Sequence, residues 1–198
     1  MSFPNSLGCV YLHGFLSSPL STKAQELSQY FKNNNIDDQL RVPCLSFEPA
    51  EAIEQAKAAV ESLQQQQGIT DVCVIGSSLG GYYATYLSQT MGIKAALINP
   101  AVKPFELFDN YLGPNKHFYD GNTYLLEMKH IEQLKELEID VLPQPENLFL
   151  LLQTADETLD YRQACEKYRR CTSWIEPGGN HSFMGFMDRL EMIRHFVK

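Results

Sequence analysis

Val72-Cys73-Val74-Ile75-Gly76-Ser77-Ser78-Leu79-Gly80-Gly81-Tyr82-Tyr83 is the most informative stretch of this 198-residue chain. Its first four residues are apolar and mostly β-branched, as in a strand buried on both faces. Beyond the glycines, Tyr82, Tyr83, Tyr86 and Leu87 resume helical spacing. A strand therefore runs through a tight turn directly into a helix. The turn reads Gly-x-Ser-x-Gly, with Ser78 at its centre. Such a turn lifts a serine Oγ above the sheet end, and its glycines let backbone crowd in where a Cβ would clash. Five residues of this kind also occur in ordinary glycine-rich turns, so the strand before and the helix after carry the argument. Ser78 is the candidate nucleophile, and Ser77 is expected to support the turn.

Working outward, short apolar runs alternate with helix-period segments, the pattern of βαβ units around a parallel sheet. Leu7 to Leu12 reads as a strand ending at His13-Gly14. Thr22 and Gln25 have capping-box spacing, and Ala24, Leu27 and Phe31 continue a helix to about residue 32. Gln39 to Phe47 is a strand candidate in which Pro43 suits an edge or a strand end. Ile53, Ala56, Val60 and Leu63 mark a helix face. Ala95 to Ile98, Leu148 to Leu152 and a run ending at Ile175 are further strands. Phe183, Met187, Leu190, Ile193 and Val197 suggest a terminal amphipathic helix. The alternation lapses between about 104 and 141, an aromatic-rich stretch with one helical segment (Met128, Ile131, Leu134), read as an insertion over the sheet edge. Nothing resembles an interdomain linker, so residues 1–198 are expected to form a single α/β domain.

A serine hydroxyl needs a base at neutral pH, and imidazole has the suitable pKa. Of the five histidines, His195 lies near the chain end, His117 and His130 lie in the insertion, where solvent exposure is expected, and His13 belongs to an early turn. His181 alone follows a late strand, in Gly178-Gly179-Asn180-His181, and is the candidate base; the plainer alternative is a surface histidine capping the last helix. The orienting acid should follow the penultimate strand, which selects Asp156, with Asp160 and Glu157 as rivals because helix N-termini attract acids anyway. Charge developing on a carbonyl oxygen calls for backbone donors. The N–H groups of Leu79 and, from the first-strand loop, Phe15 are the candidates. His13 is expected to shape that loop through hydrogen bonds, and no metal-ligand spacing involves it. Phe105, Phe108, Tyr111, Phe118, Tyr119 and Tyr124 could roof an acyl pocket or simply cover the sheet, and Phe105, Phe108 and Tyr111 are the candidate substrate contacts.

Composition narrows the classes. The chain is 44% hydrophobic, enough for a substantial core. The formal charge of −8, without long runs of either sign, argues against nucleic acid or an anionic membrane as partner. Neither a membrane-spanning run nor a signal sequence is visible. Five cysteines without a C-x-x-C pair read as reduced, mostly buried thiols in a cytoplasmic protein, with neither a disulfide framework nor a thiolate zinc site.

Five ordered strings now stand together: Tyr11-Leu12-His13-Gly14-Phe15-Leu16-Ser17-Ser18-Pro19, Gly76-Ser77-Ser78-Leu79-Gly80-Gly81-Tyr82-Tyr83-Ala84-Thr85, Asn99-Pro100-Ala101, Leu151-Leu152-Gln153-Thr154 with Asp156, and Gly178-Gly179-Asn180-His181. In these the chain resembles the α/β-hydrolase superfamily throughout its length, and more narrowly the small bacterial YqiA-like esterases. The resemblance implies hydrolysis of carboxylic esters, with acyl thioesters as an open extension, by a Ser78-Asp156-His181 triad without a cofactor or metal. It also implies a trimmed α/β-hydrolase fold of about six mainly parallel strands, helices on both faces and a small insertion or lid at about 104–141. The substrate would be a small-molecule ester. A pathway-specific thioester or C–C bond hydrolase would use the same triad, and a non-catalytic binding module on this fold would be expected to have lost a triad member.

Overall fold

In the computed structural model, residues 3–117, 119 and 121–198 are described. The elements are, in chain order, β1 (Leu7–Leu12), α1 (Thr22–Asn33), β2 (Leu40–Arg41), α2 (Pro49–Gln64), β3 (Asp71–Ser77), α3 (Leu79–Met91) and β4 (Lys94–Ile98). They continue with α4 (Pro104–Phe108), β5 (Gly113–Lys116), β6 (Thr123–Leu126), α5 (Met128–Glu136), β7 (Leu148–Gln153), α6 (Tyr161–Lys167), β8 (Thr172–Glu176) and α7 (Leu190–Val197). Among the described residues the main sheet has six strands in the order β2-β1-β3-β4-β7-β8, all parallel, while β5 and β6 pair as a separate antiparallel hairpin.

The period of two along each strand sorts the apolar residues into two layers. Val10 and Leu12, Val72 and Val74, Ala95 and Leu97, and Leu148, Leu150 and Leu152 face one core with α2 and α3. Cys9 and Tyr11, Cys73 and Ile75, Ala96 and Ile98, and Phe149 and Leu151 face the other with α1 and α7. Burial on both faces explains the unbroken apolar runs in these strands. Register then gathers the site: Leu12 pairs with Gly76, Ser77 with Ile98, and Ile98 with Leu151. The loops that leave β1, β3, β4 and β7 consequently emerge side by side at the carboxyl edge of the sheet.

Gly80 permits this. A Cβ there would lie 2.1 Å from the Leu12 carbonyl oxygen, so α3 can seat against β1 only because the side chain is missing. Backbone cannot swing aside as a flexible side chain can. Gly80→Ala is expected to destabilise the fold by about 3 kcal/mol or more, read as a lower urea midpoint with little change in slope.

Several expectations need correction. The capping box on Thr22 and Gln25 is absent: Ser21 occupies the N-cap position without a side-chain cap, and the Gln25 amide donates to the Pro19 carbonyl instead. The second strand is two residues long rather than Gln39 to Phe47, because the chain leaves β1 before Pro43, which has no N–H to add to a ladder. Phe183 is not part of the terminal helix. It has φ 59° in the preceding loop, and a 3-10 turn, Phe186–Arg189, separates it from α7. The insertion packs over α2 and α3 rather than over a sheet edge. Leu126, Ile131 and Leu134 join that core, and the Tyr82 hydroxyl donates to the Leu134 carbonyl at 2.6 Å. His130 is fully buried, its Nδ1 accepting from the Glu127 N–H to cap α5, and His117 is partly buried with Nε2 3.0 Å from the Ser17 carbonyl. Of the cysteines only Cys9 and Cys73 are buried, while Cys44 is exposed. Phe118 lies outside the described residues.

Candidate active site

Ser78 sits between β3 and α3 with φ 56° and ψ −121°, a conformation that costs a non-glycine residue on the order of 1–3 kcal/mol. Its backbone is held from several sides. Its N–H donates to the Ile98 carbonyl (3.0 Å), and its carbonyl accepts from Gly81 (2.9 Å) and Ala101 (3.0 Å). The side chain is thereby presented at the sheet edge, where Oγ lies 3.0 Å from His181 Nε2. His181 Nδ1 lies 2.8 Å and 3.0 Å from the two oxygens of Asp156. An ionised carboxylate can only accept, so Nδ1 carries the proton and Nε2 is the acceptor facing the serine.

The Asp156 side chain is 2% exposed. Burial pushes its pKa up, but hydrogen bonds from His181 and from the N–H groups of Leu159 and Thr158 outweigh this and hold it below the usual carboxylate value. Its rivals are occupied elsewhere. Asp160 caps α6 and is bound by the Arg162 guanidinium. Glu157 accepts from the His181 backbone N–H at 2.9 Å, supporting the histidine loop rather than the imidazole.

The loop after β1 crosses directly over the serine: a Cβ at Gly14 would stand 3.3 Å from Ser78 Cβ. Its shape depends on His13, whose Nδ1 lies 3.0 Å from the Gly14 carbonyl while Nε2 accepts from the Leu45 N–H at 3.1 Å. Burial lowers the pKa of His13, which favours the neutral ring that the acceptor role of Nε2 requires. The N–H groups of Phe15 and Leu79 have no protein acceptor among the described residues. Leu79 also opens α3, whose dipole favours negative charge at that end.

A cleft of about 1010 Å³ opens over Ser78, lined by Phe15, Leu79, Phe108, Tyr111 and His181 among others. The Phe15 ring packs on Phe108 (centroids 4.6 Å apart) and Tyr111 (6.2 Å) to form its roof. Phe105 does not line it: that ring is buried in the core below α4, a correction to its expected role. A smaller cavity of about 540 Å³ lies on the other side of Phe15 and Leu79, against His13, Phe47 and Tyr83. No group of three or more His, Cys, Asp or Glu side chains is placed to hold a metal ion among the described residues.

Two positioning residues were not foreseen. Asn99, at φ 40°, accepts from the Gln153 N–H and donates to the carbonyls of Asn180 and His181. The buried Gln153 side chain accepts from the N–H groups of Asn180 (3.1 Å) and Met184 (2.8 Å) and donates to Glu176 and to the Met184 carbonyl. The visible signal was a polar residue terminating each apolar run, Asn99 after Ile98 and Gln153 after Leu152. Gln153→Ala takes the acceptor away from the Asn180 and Met184 N–H groups and empties a buried side-chain site. It is expected to cost about 2 kcal/mol in urea denaturation and to speed amide hydrogen exchange at Asn180 and Met184.

A parallel sheet covered by helices on both faces, with a strand-serine-helix turn and its histidine at the carboxyl edge, defines the α/β-hydrolase fold. The chain belongs to the Uncharacterised protein family UPF0227, which it matches over residues 8–198. A UPF0227 protein of Serratia proteamaculans (strain 568) is 25% identical over 191 residues, covering 94% of this chain and 97% of its own length. One from Shewanella woodyi is 26% identical over 201 residues, covering 96% and 98%. Among solved structures, a putative hydrolase from Agrobacterium vitis S4 superposes with a TM-score of 0.75 at 18% identity, over 98% of this chain and 88% of that one. Est1E from Butyrivibrio proteoclasticus, with ferulic acid bound, gives 0.67 at 17% identity over 98% and 88%. The Pyrococcus furiosus esterase Pf2001 gives 0.67 at 17%, over 97% and 80%. At these identities the likeness is one of fold. No helix among the described residues is long and apolar enough to cross a membrane.

Proposed function

We propose that this chain is a serine hydrolase acting in the cytoplasm on small-molecule carboxylic esters or thioesters, through an acyl-enzyme on Ser78. The observation that carries the reading is the continuous hydrogen-bonded line from Ser78 Oγ through His181 to the buried Asp156 carboxylate. In the proposed cycle His181 Nε2 takes the Ser78 proton as Oγ attacks the acyl carbon. Asp156 stabilises the imidazolium, and the Phe15 and Leu79 N–H groups receive the oxyanion. Protonated His181 then gives its proton to the departing alcohol or thiol, and water releases the acyl group by the same steps. The strained backbone of Ser78 supports this, because such strain gathers where a side chain must be aimed. The aromatic roof of Phe15, Phe108 and Tyr111 offers apolar contact to an acyl or aryl group, and both Est1E and Pf2001, which share the fold, carry the name esterase or a bound aromatic acid.

The test is hydrolysis of p-nitrophenyl esters and acyl-CoA thioesters from acetyl to palmitoyl, alongside labelling by a fluorophosphonate. Turnover with Ser78 as the labelled residue is the expected result, and the preferred chain length sizes the cleft. A folded protein inert to every ester and unlabelled by the probe would point to a binding module instead.

A further inference from the structure

The cleft over Ser78 is lined by elements from both faces of the sheet. Ala101, Pro104, Leu107 and Phe108 line it from the α4 side, where Phe108 packs in the core with α2 and α3, while Lys23 enters from the first turn of α1, which packs in the opposite core. Lys23 is half-buried, and its ammonium donates to the carbonyl of Ser182, the residue after His181, at 2.7 Å. An ammonium offers three donors. Among the described residues this is its recorded protein bond, and no carboxylate lies within ion-pair distance. Glu26 and Asp188 line the same cleft, and Glu26 and Asp156 attract the ammonium from farther away.

A cation in this position is costly unless something meets it. Partial burial strips its hydration. The first turn of α1 sets it against the positive end of the helix dipole, and that turn holds no acidic side chain. Burial draws the Lys23 pKa down to about 8, with Glu26 and Asp156 offsetting part of the effect, so the side chain is still mostly charged at pH 7. Lys116, on the β5–β6 hairpin, brings a second positive charge to the cleft lining.

We propose that Lys23 is a specificity-determining residue that receives an anionic group, carboxylate or phosphate, carried by the leaving group of the substrate. The inference rests on the hydrolase function proposed above. The side follows from the bond to Ser182: Lys23 stands against the histidine loop, where the imidazolium protonates the departing oxygen or sulfur, and the α4 side with Phe108 remains for the acyl part.

The test compares 4-acetoxybenzoate with 4-acetoxybenzamide, which share acyl group and phenolic leaving group and differ by one negative charge. Each kcat/KM is divided by the ester's own hydroxide-catalysed rate, and the anionic-to-neutral ratio is the readout. Wild type is expected to favour the anion, and Lys23→Gln to lower the ratio by about tenfold to a hundredfold, the worth of one charged hydrogen bond. Lys23→Arg should restore most of it. The wild-type preference should also shrink with added salt and as pH rises past about 8. A ratio unaltered in Lys23→Gln, including equal slowing of both esters, would reduce Lys23 to a tether for the histidine loop and overturn the proposal. Should Lys23→Gln fail to fold, a wild-type ratio indifferent to salt and pH overturns it equally. Hydrolysis of the neutral ester without preference for the anion sinks this inference alone. Failure on both esters together with an unlabelled Ser78 sinks the hydrolase reading as well.

Discussion

Ser78→Ala is expected to lower kcat on any ester that the wild type turns over by about 10⁴- to 10⁶-fold and to abolish fluorophosphonate labelling. Oγ is the atom of Ser78 hydrogen-bonded to His181, and alanine removes it while leaving the backbone that shapes the turn. The N–H groups of Phe15 and Leu79 and the cleft are untouched, so a small residual rate above water should persist. A paired variant separates chemistry from folding. Ser78→Gly also lacks Oγ but relieves the φ of 56°, and should be more stable than Ser78→Ala by about 1 kcal/mol in urea denaturation. Equal inactivity with unequal stability is the signature of a strained serine whose role is chemical. Retention of turnover in both variants would remove Ser78 from the mechanism.

Asp156→Asn should cost about 10³- to 10⁴-fold in kcat at pH 7 with the fold intact. The amide group can donate to Nδ1, which favours the tautomer protonated at Nε2, and that tautomer cannot accept the serine proton. The negative charge that stabilises the imidazolium is lost at the same time. Stability supplies a second readout. The folded-state pKa of Asp156 is depressed, so its contribution is present above the unfolded value of about 3.9 and is lost as pH falls through the folded value. Asp156→Asn has no such proton to bind, and the acid side of its stability curve, followed by circular dichroism, should be shallower than that of the wild type. Asp160→Asn is the control. Asp160 caps α6, a role that asparagine fills equally well, and its pair with Arg162 lies at the surface, so Asp160→Asn should leave stability nearly unchanged and change kcat by less than threefold. Reversal of the two effects would transfer the acid role to Asp160.

The elements that read correctly from the sequence are those whose signal is local. β3 and α3 follow from an apolar β-branched run, a glycine-rich turn and helical spacing, all within about 20 residues. The buried strands β1, β4 and β7 were legible because both their faces are covered, so period-two alternation gives way to unbroken apolar runs. The extent of β2 and the start of α7 were not. Whether an edge residue pairs depends on where the chain must go next, as when Leu45 is carried to His13, and helix ends depend on tertiary partners such as those of Phe183. Phe105 and Phe108, three residues apart on one short helix, illustrate the same limit. Both rings join the core, yet Phe108 also reaches the cleft and Phe105 does not, a choice made by what packs around α4.

By itself the sequence determined the buried strands β1, β3, β4 and β7, the serine turn, and the order in which an acid and His181 follow it, because strand-turn-helix chemistry and chain order are local or one-dimensional properties. Only the tertiary structure decided that Asp156 rather than Asp160 or Glu157 faces the imidazole. It also decided that Asn99 and Gln153 hold the histidine loop, and that Lys23 reaches the cleft. These depend on sheet register, which brings four loop ends from distant parts of the chain to one edge with ångström accuracy, and no spacing along the chain encodes that distance.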